Sequence, residues 1–280
     1  MSVNQFERLI RTDRAAYEAL VERRWGAAGP HCIRCDERRV YRLKEGRYRC
    51  ASCAHTFGDF TGTWLAEVRI APRMWLWVLK LFELEVTALQ AARQTGLSYP
   101  TVLRAFTVIR RAILAREEPS LLREEVEADE SYFGARRKKG KRGRGAAGKI
   151  PVFGILERKG KVKVSVVPNV STRTLMDKTV TLVKRGSLIY TDRFASYDAL
   201  TFYGYQHLRV DHAVRFSTGR VHINGLEGFW SYAKGKLFKH HCVSPSRFPL
   251  YLYEMQFRYN HRQENLLDLL LAAILVPNPL

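Results

Sequence analysis

Apolar side chains recur at helical intervals near the N-terminus, where Phe6, Leu9, Ile10, Tyr17, Leu20 and Val21 predict a helical segment over residues 1–29 that Gly26, Gly29 and Pro30 end. The period then shortens. Residues 41–50, YRLKEGRYRC, hold two strand-like runs around Glu45-Gly46, a hairpin signal. From Pro72 to about Glu125 the pattern is helical again and rich in Leu, Trp and Arg. Inside it, VTALQAARQTGLSYPTVLRAF reads as helix, turn, helix: Ala92 allows close packing, Gly96 makes the turn, and Val102 is apolar on a second helix that Ser98 caps and Pro100 opens. That second helix would offer Tyr99, Thr101 and Arg104 to a DNA major groove.

Beyond this region the texture turns to strands. EVEADESYF, residues 125–133, is a β-run interrupted by acids, and residues 150–169 carry two more strands around Lys159-Gly160. An amphipathic helix capped by Ser171 follows, then strands in GSLIYTD and YQHLRVDH, and helix from Ile223 to near the end. The order predicts an α/β domain over 123–265, preceded by a cysteine module at 30–64 and a helical region at 70–122, and followed by a helical tail at 266–280. The densest apolar run, Leu266 to Val276, is short and broken by Asp268, so no membrane span is expected. The polar N-terminus, MSVNQFERLIRTDR, is no secretory signal, and the expected location is cytoplasmic.

Charge narrows the function. Among 280 residues, 47 Lys and Arg face 27 acids, a formal charge of +20, which favours a polyanionic partner because each neutralised phosphate releases counterions. Residues 135–149 form a glycine-rich basic loop with Arg136, Arg137, Lys138, Lys139, Lys141, Arg142, Arg144 and Lys149 and not one acid, placed to grip a phosphate backbone. Cys32, Cys35, Cys50 and Cys53 make two CxxC pairs separated by 14 residues and joined through the hairpin. Four thiolates in that arrangement build a zinc ribbon, in which structural Zn²⁺ replaces the core so small a module lacks. His31 and His55 border the knuckles, but the four sulfurs suffice, and His240, His241 and Cys242 read as a surface cluster near DNA.

Three acids stand out by context. Asp129 lies within a β-run, where an ionised group needs a partner or a metal. Asp192 follows the apolar run Ser187-Leu-Ile-Tyr-Thr and so sits at a strand's C-terminal end, the position where open α/β sheets place ligands. Glu227 lies on a helical segment, with Lys234 two turns on and nearly on the same face. Phosphodiester transfer needs a clamp on both the attacking and the leaving oxygen, and two Mg²⁺ ions held by three carboxylates supply it. Glu130 should point to the sheet face opposite Asp129, and Trp230 belongs either to the core or stacked on an unpaired base.

The combination resembles the DDE signature of insertion-sequence transposases, with 62 residues between the first two acids, 34 between the second and third, and a lysine seven after the glutamate. More narrowly, the chain is similar to the bacterial DDE transposases that carry an N-terminal zinc ribbon and a helix-turn-helix. ADESYFG resembles that family's first-acid motif, YTDRFASY its second, VHINGLEGFWSYAKGKL its third and YEMQFRYNHR its closing helix. The resemblance implies an RNase H-like mixed-sheet catalytic domain behind the small zinc ribbon and the all-helical region. It also implies Mg²⁺-dependent (or Mn²⁺-dependent) strand cleavage and transfer, recognition of inverted-repeat ends and target DNA, and a homodimer or higher oligomer assembled on double-stranded DNA. Asn224 is a second candidate for the third position, as a ligand or a DNA contact; Glu227 is preferred because its charge suits Mg²⁺ and the lysine offset fits. A catalytically silent DNA-binding derivative is the alternative, and it would not need the acids and the lysine.

Overall fold

The computed structural model describes residues 1–117, 119–134, 149–158, 160–192, 197–209, 223–240 and 243–278. They form two compact units, residues 1–116 with 263–280, and residues 117–262.

In the first unit the N-terminal helical pattern is two helices, α1 (Val3–Leu9) and α2 (Asp13–Trp25). Thr12 divides them: its backbone is extended and its side chain accepts from the Ala15 N–H, starting a new helix. The hairpin strands β1 (Val40–Arg42) and β2 (Tyr48–Cys50) pair antiparallel, and a short third strand, β3 (Thr56–Phe57), extends the sheet. Trp25, Tyr48 and Phe57 pack around Cys32 and Cys50 as a small core. Buried Asp59 accepts from the Trp25 indole at 2.8 Å and from the Tyr17 hydroxyl, fastening the module to α2.

The helical region holds α3 (Pro72–Glu83), α4 (Ala88–Thr95) and α5 (Tyr99–Ala115). Between α4 and α5 the chain reverses through Gly96 at φ 72°, a left-handed conformation that glycine adopts without strain, and Ser98 accepts from the Thr101 N–H to cap α5. Helix α5 ends at Ala115, short of the expected Glu125, with Pro119 just beyond, and Leu122 forms a parallel bridge to Val183. The C-terminal segment is not a free-standing tail. Helix α9 (Leu266–Leu275) buries Leu267, Leu270, Leu271 and Ile274 and packs on α2, α3 and α5. Its apolar run is long enough for a core helix only, and no described helix is long and apolar enough to cross a membrane.

The second unit is built on a five-stranded sheet of β4 (Glu125–Phe133), β5 (Ile150–Glu157), β6 (Val162–Val166), β7 (Leu188–Thr191) and β8 (Gln206–Arg209), in the order β6-β5-β4-β7-β8. The first three strands form an antiparallel meander; β7 and β8 run parallel to β4, with α6 (Thr172–Leu182) as the crossover between β6 and β7. This is the RNase H-like mixed sheet. Alternation along the strands makes both faces apolar, as a sheet covered on both sides requires. Val126, Ala128, Phe153 and Ile155 meet Leu175 and Met176 of α6. On the other face Phe133, Val152 and Val164 meet α7 (Asn224–Phe238) and α8 (Phe248–Asn260). Two side chains of α8 complete the β6 edge: Gln256 accepts from the Val164 N–H at 2.7 Å, and Asn260 accepts from the Val162 N–H at 2.8 Å and donates to its carbonyl at 2.9 Å. They occupy backbone groups that a bare edge would present to another chain.

Candidate active site

Two constellations lie in separate units. In the first, the sulfurs of Cys32, Cys35, Cys50 and Cys53 all lie within 4.8 Å of one another, with Cys32–Cys53 at 3.5 Å and Cys35–Cys50 at 3.6 Å. A Zn²⁺ tetrahedron with bonds of about 2.3 Å has sulfur–sulfur edges of roughly 3.8 Å, so the four thiols fit a structural zinc. Burial opposes charge on Cys32, but hydrogen bonds from the Arg34 and Cys35 N–H groups and from the Cys53 and Cys35 thiols together outweigh it and draw the thiol down to about 7. The bordering histidines are engaged elsewhere. His31 stands 3.6 Å from the Asp36 carboxylate, and His55 stacks on Phe57.

In the second unit the strand register brings two acids level. Glu127 of β4 pairs with Tyr190 of the parallel β7, so two residues further along lie Asp129 and Asp192 on neighbouring strands, which run about 4.8 Å apart. Glu227 lies in the first turn of α7, the helix that covers this face. The three charges are felt together. Burial pushes the Asp129 carboxyl up to about 6, and the charges of Asp192 and Glu227 add to that, while the Glu130 N–H and the Trp230 indole draw it the other way. A partly buried, mutually repelling set of hard oxygen donors has the chemistry of a divalent-cation site.

Neighbouring side chains shape this face. Lys234, exposed two turns beyond Glu227, has its Nζ 5.7 Å from the Phe133 ring centre; burial lowers its pKa while Asp129 pulls it up. Trp230 is 5% exposed and packs edge-on against Phe133, so it belongs to the core and is not free to stack on a base. Its indole N–H instead donates to Asp129 Oδ2 at 3.1 Å. Glu130 takes the opposite sheet face, where burial first and then the Glu130 charge raise the pKa of the Tyr197 hydroxyl, itself a member of the α6-side core.

Asn224 is exposed at the start of α7, one turn before Glu227. Tyr99 and Arg104 are exposed and Thr101 half-buried along the first turns of α5, in the other unit. Arg136, Arg137, Lys138, Lys139, Lys141, Arg142 and Arg144, with His241 and Cys242, lie outside the described residues. Sequence reasoning passed over Gly154, which lies across from Asp129 on β5, and Glu127, which contacts the start of α7 and Arg158. The signal for Glu127 was available: it stands two residues before Asp129 and therefore on the same strand face.

The cysteine module and the mixed-sheet unit each match a transposase domain. Residues 121–260 match the ISXO2-like transposase domain and residues 11–56 the transposase zinc-ribbon domain, and the chain belongs to the ISXO2-like transposase family. Two relatives are similar. An uncharacterized protein in transposable element ISH50 of Halobacterium salinarum is 32% identical over 272 residues, covering 88% of this chain and 90% of the relative. An uncharacterized transposase-like protein of Haemophilus influenzae is 39% identical over 105 residues, 38% of this chain and 85% of the relative. Among solved structures, the catalytic core domain of BIV integrase is similar at a TM-score of 0.33 and 8% identity, covering 51% of this chain and 86% of that one. The pre-cleavage Mos1 transpososome is similar at 0.28 and 12% identity, covering 71% and 78%.

Proposed function

We propose that the chain is a DNA transposase that binds the inverted-repeat ends of its insertion sequence and catalyses Mg²⁺-dependent strand cleavage and strand transfer into target DNA. The observation that carries this reading is the coupling of Asp129, Asp192 and Glu227 across two neighbouring strands and one helix. Asp129, Asp192 and Glu227 would hold Mg²⁺, with Mn²⁺ as a substitute; a bound pair of such ions supplies the clamp on the attacking and leaving oxygens of an in-line displacement. Glu227 is favoured over Asn224 as the third ligand because a carboxylate's charge suits Mg²⁺ better than a neutral amide, which leaves Asn224 for DNA.

The remaining residues bind and orient. Lys234 offers a positive charge to the scissile phosphate or its neighbour. Cleavage joins a water oxygen to the phosphorus and breaks its bond to the 3′ oxygen, which leaves as a hydroxyl; that hydroxyl then displaces a 3′ oxygen in the target strand. No covalent protein intermediate is required. Tyr99, Thr101 and Arg104 read end DNA from α5, and Arg136, Arg137, Lys138, Lys139, Lys141, Arg142 and Arg144 hold phosphate backbone. Zinc keeps the ribbon folded, and two synapsed ends call for a dimer on DNA. The relative in a transposable element supports this reading.

The test is cleavage and joining of labelled DNA carrying the element's own end, with Mg²⁺ or Mn²⁺, by the wild type and Asp192→Asn. Products from the first and none from the second, with end binding intact in both, is the expected result. Tight end binding without cleavage by either protein would make the chain a catalytically silent DNA-binding derivative.

A further inference from the structure

We propose that Glu127 and Trp230 are positioning residues that clamp α7 to β4 and thereby set the distance from Glu227 to Asp129. The inference rests on the metal-binding reading above.

Strand β4 presents Glu127 and Asp129 on the face that carries α7, and each is tied to that helix. Glu127, 1% exposed, accepts from the backbone N–H of Leu226 at 2.9 Å. The helix starts after Ile223, whose apolar side chain caps nothing, so its first N–H groups need acceptors from elsewhere. A carboxylate from the neighbouring strand fills that need and sits at the positive end of the helix dipole. One turn on, Trp230 donates to Asp129 at 3.1 Å. Glu227 lies between the two contacts, so rotation or sliding of α7 would break at least one of them.

Both contacts depend on a glycine. A Cβ on Gly225 would lie 3.0 Å from Glu127 Oε2. A Cβ on Gly154, directly across from Asp129 on β5, would lie 2.5 Å from the Trp230 ring. The clamp also reaches the third acid-bearing element. Arg158 stands 3.4 Å from Glu127 Oε1, bonds to Glu125 at 3.1 Å, and lies 3.7 Å over the ring of Tyr190, two residues before Asp192. A carboxylate this buried, and already accepting from the helix and facing a guanidinium, is closed to a cation. Glu127 therefore acts through α7 and is not a metal ligand.

The experiment is Mn²⁺ binding to the full chain without DNA, read by electron paramagnetic resonance, in wild type, Trp230→Phe, Glu127→Gln and Asp129→Asn. Trp230→Phe keeps an aromatic ring and loses the donor, and its Mn²⁺ Kd is expected to rise about tenfold, as when a partner behind a metal ligand is removed. Glu127→Gln still accepts from Leu226 but loses its charge beside Arg158, and its Mn²⁺ Kd is expected to rise by no more than about tenfold. Asp129→Asn loses the site. Should Trp230→Phe not fold, Gly154→Ala displaces the indole without removing it and is expected to weaken Mn²⁺ in the same way. Unchanged Mn²⁺ affinity on loss or displacement of the indole overturns the clamp. So does a Glu127→Gln defect as deep as that of Asp129→Asn, which would make Glu127 a ligand. Wild type that shows these shifts yet cleaves no end DNA leaves the clamp standing and defeats the strand-transfer reading alone; wild type that binds no more Mn²⁺ than Asp129→Asn defeats both.

Discussion

Asp129→Asn should stabilise the protein when no divalent cation is bound. The carboxyl has an ordinary value near 3.8 and is pushed up to about 6, first by burial and then by Asp192 and Glu227. The folded state thus holds this proton more tightly than the unfolded chain. Well below pH 3.8 both states are protonated and the fold bears no penalty; as pH rises from 3.8 towards 6 stability falls, and above that the loss is complete. The gap corresponds to at most about 3 kcal/mol. Asparagine is nearly isosteric, keeps an oxygen that accepts from Trp230 and carries no charge, so the variant should gain up to that amount at neutral pH and almost nothing well below pH 3.8. Urea-dependent hydrogen exchange in β4 and β5, in Mg²⁺-free buffer, isolates this unit from the zinc-bearing one. Saturating Mg²⁺ should then stabilise the wild type and leave the variant unchanged, because only a state that binds the ion gains from it. A variant no more stable than wild type at neutral pH, or a difference that does not shrink towards pH 4, would refute the reasoning.

Three further outcomes follow from the packing. Cys50→Ser, or a zinc chelator, should release zinc and expose residues 30–64 to protease, because few core side chains remain without the metal; zinc content and the cleavage pattern report it. Leu271→Ala, at a fully buried side chain of α9, should cost about 2–5 kcal/mol in the unit that holds residues 1–116, measured by chemical denaturation followed by fluorescence of its tryptophans. Gly154→Ala should cost about 1–3 kcal/mol, since its new Cβ overlaps Trp230, and hydrogen exchange in β5 should rise while zinc content stays constant.

Local chemistry was legible in the sequence where local spacing expresses it. Two CxxC pairs around a hairpin identify the thiol cluster, since their spacing alone brings four sulfurs together. Gly96 and Ser98 mark the reversal between α4 and α5 because a left-handed turn and a helix cap are single-residue requirements. Asp129 and Asp192 were placed on strands by their apolar surroundings, although only the parallel pairing of β4 with β7 makes them level. What stayed hidden depends on distant partners. Nothing in the apolar run 266–275 says that it packs against α2, some 250 residues earlier in the chain, so it read as a tail. Glu127 looked like one acid among several until the start of α7 came to lie over it. The break at Thr12 was within reach, since a threonine followed by Asp13 is a helix-start signal, but the apolar period runs through it and dominates.

The central claim is that the side chains at 129, 192 and 227 hold the cation that makes DNA cleavage possible. Asp192→Cys tests it most directly, because a thiolate binds Mg²⁺ poorly and Mn²⁺ better. End cleavage by this variant should be lost with Mg²⁺ and partly restored with Mn²⁺, while end binding and zinc content match wild type. Cleavage at the wild-type rate with Mg²⁺, or no restoration by Mn²⁺ in a protein that still folds and binds ends, would contradict it.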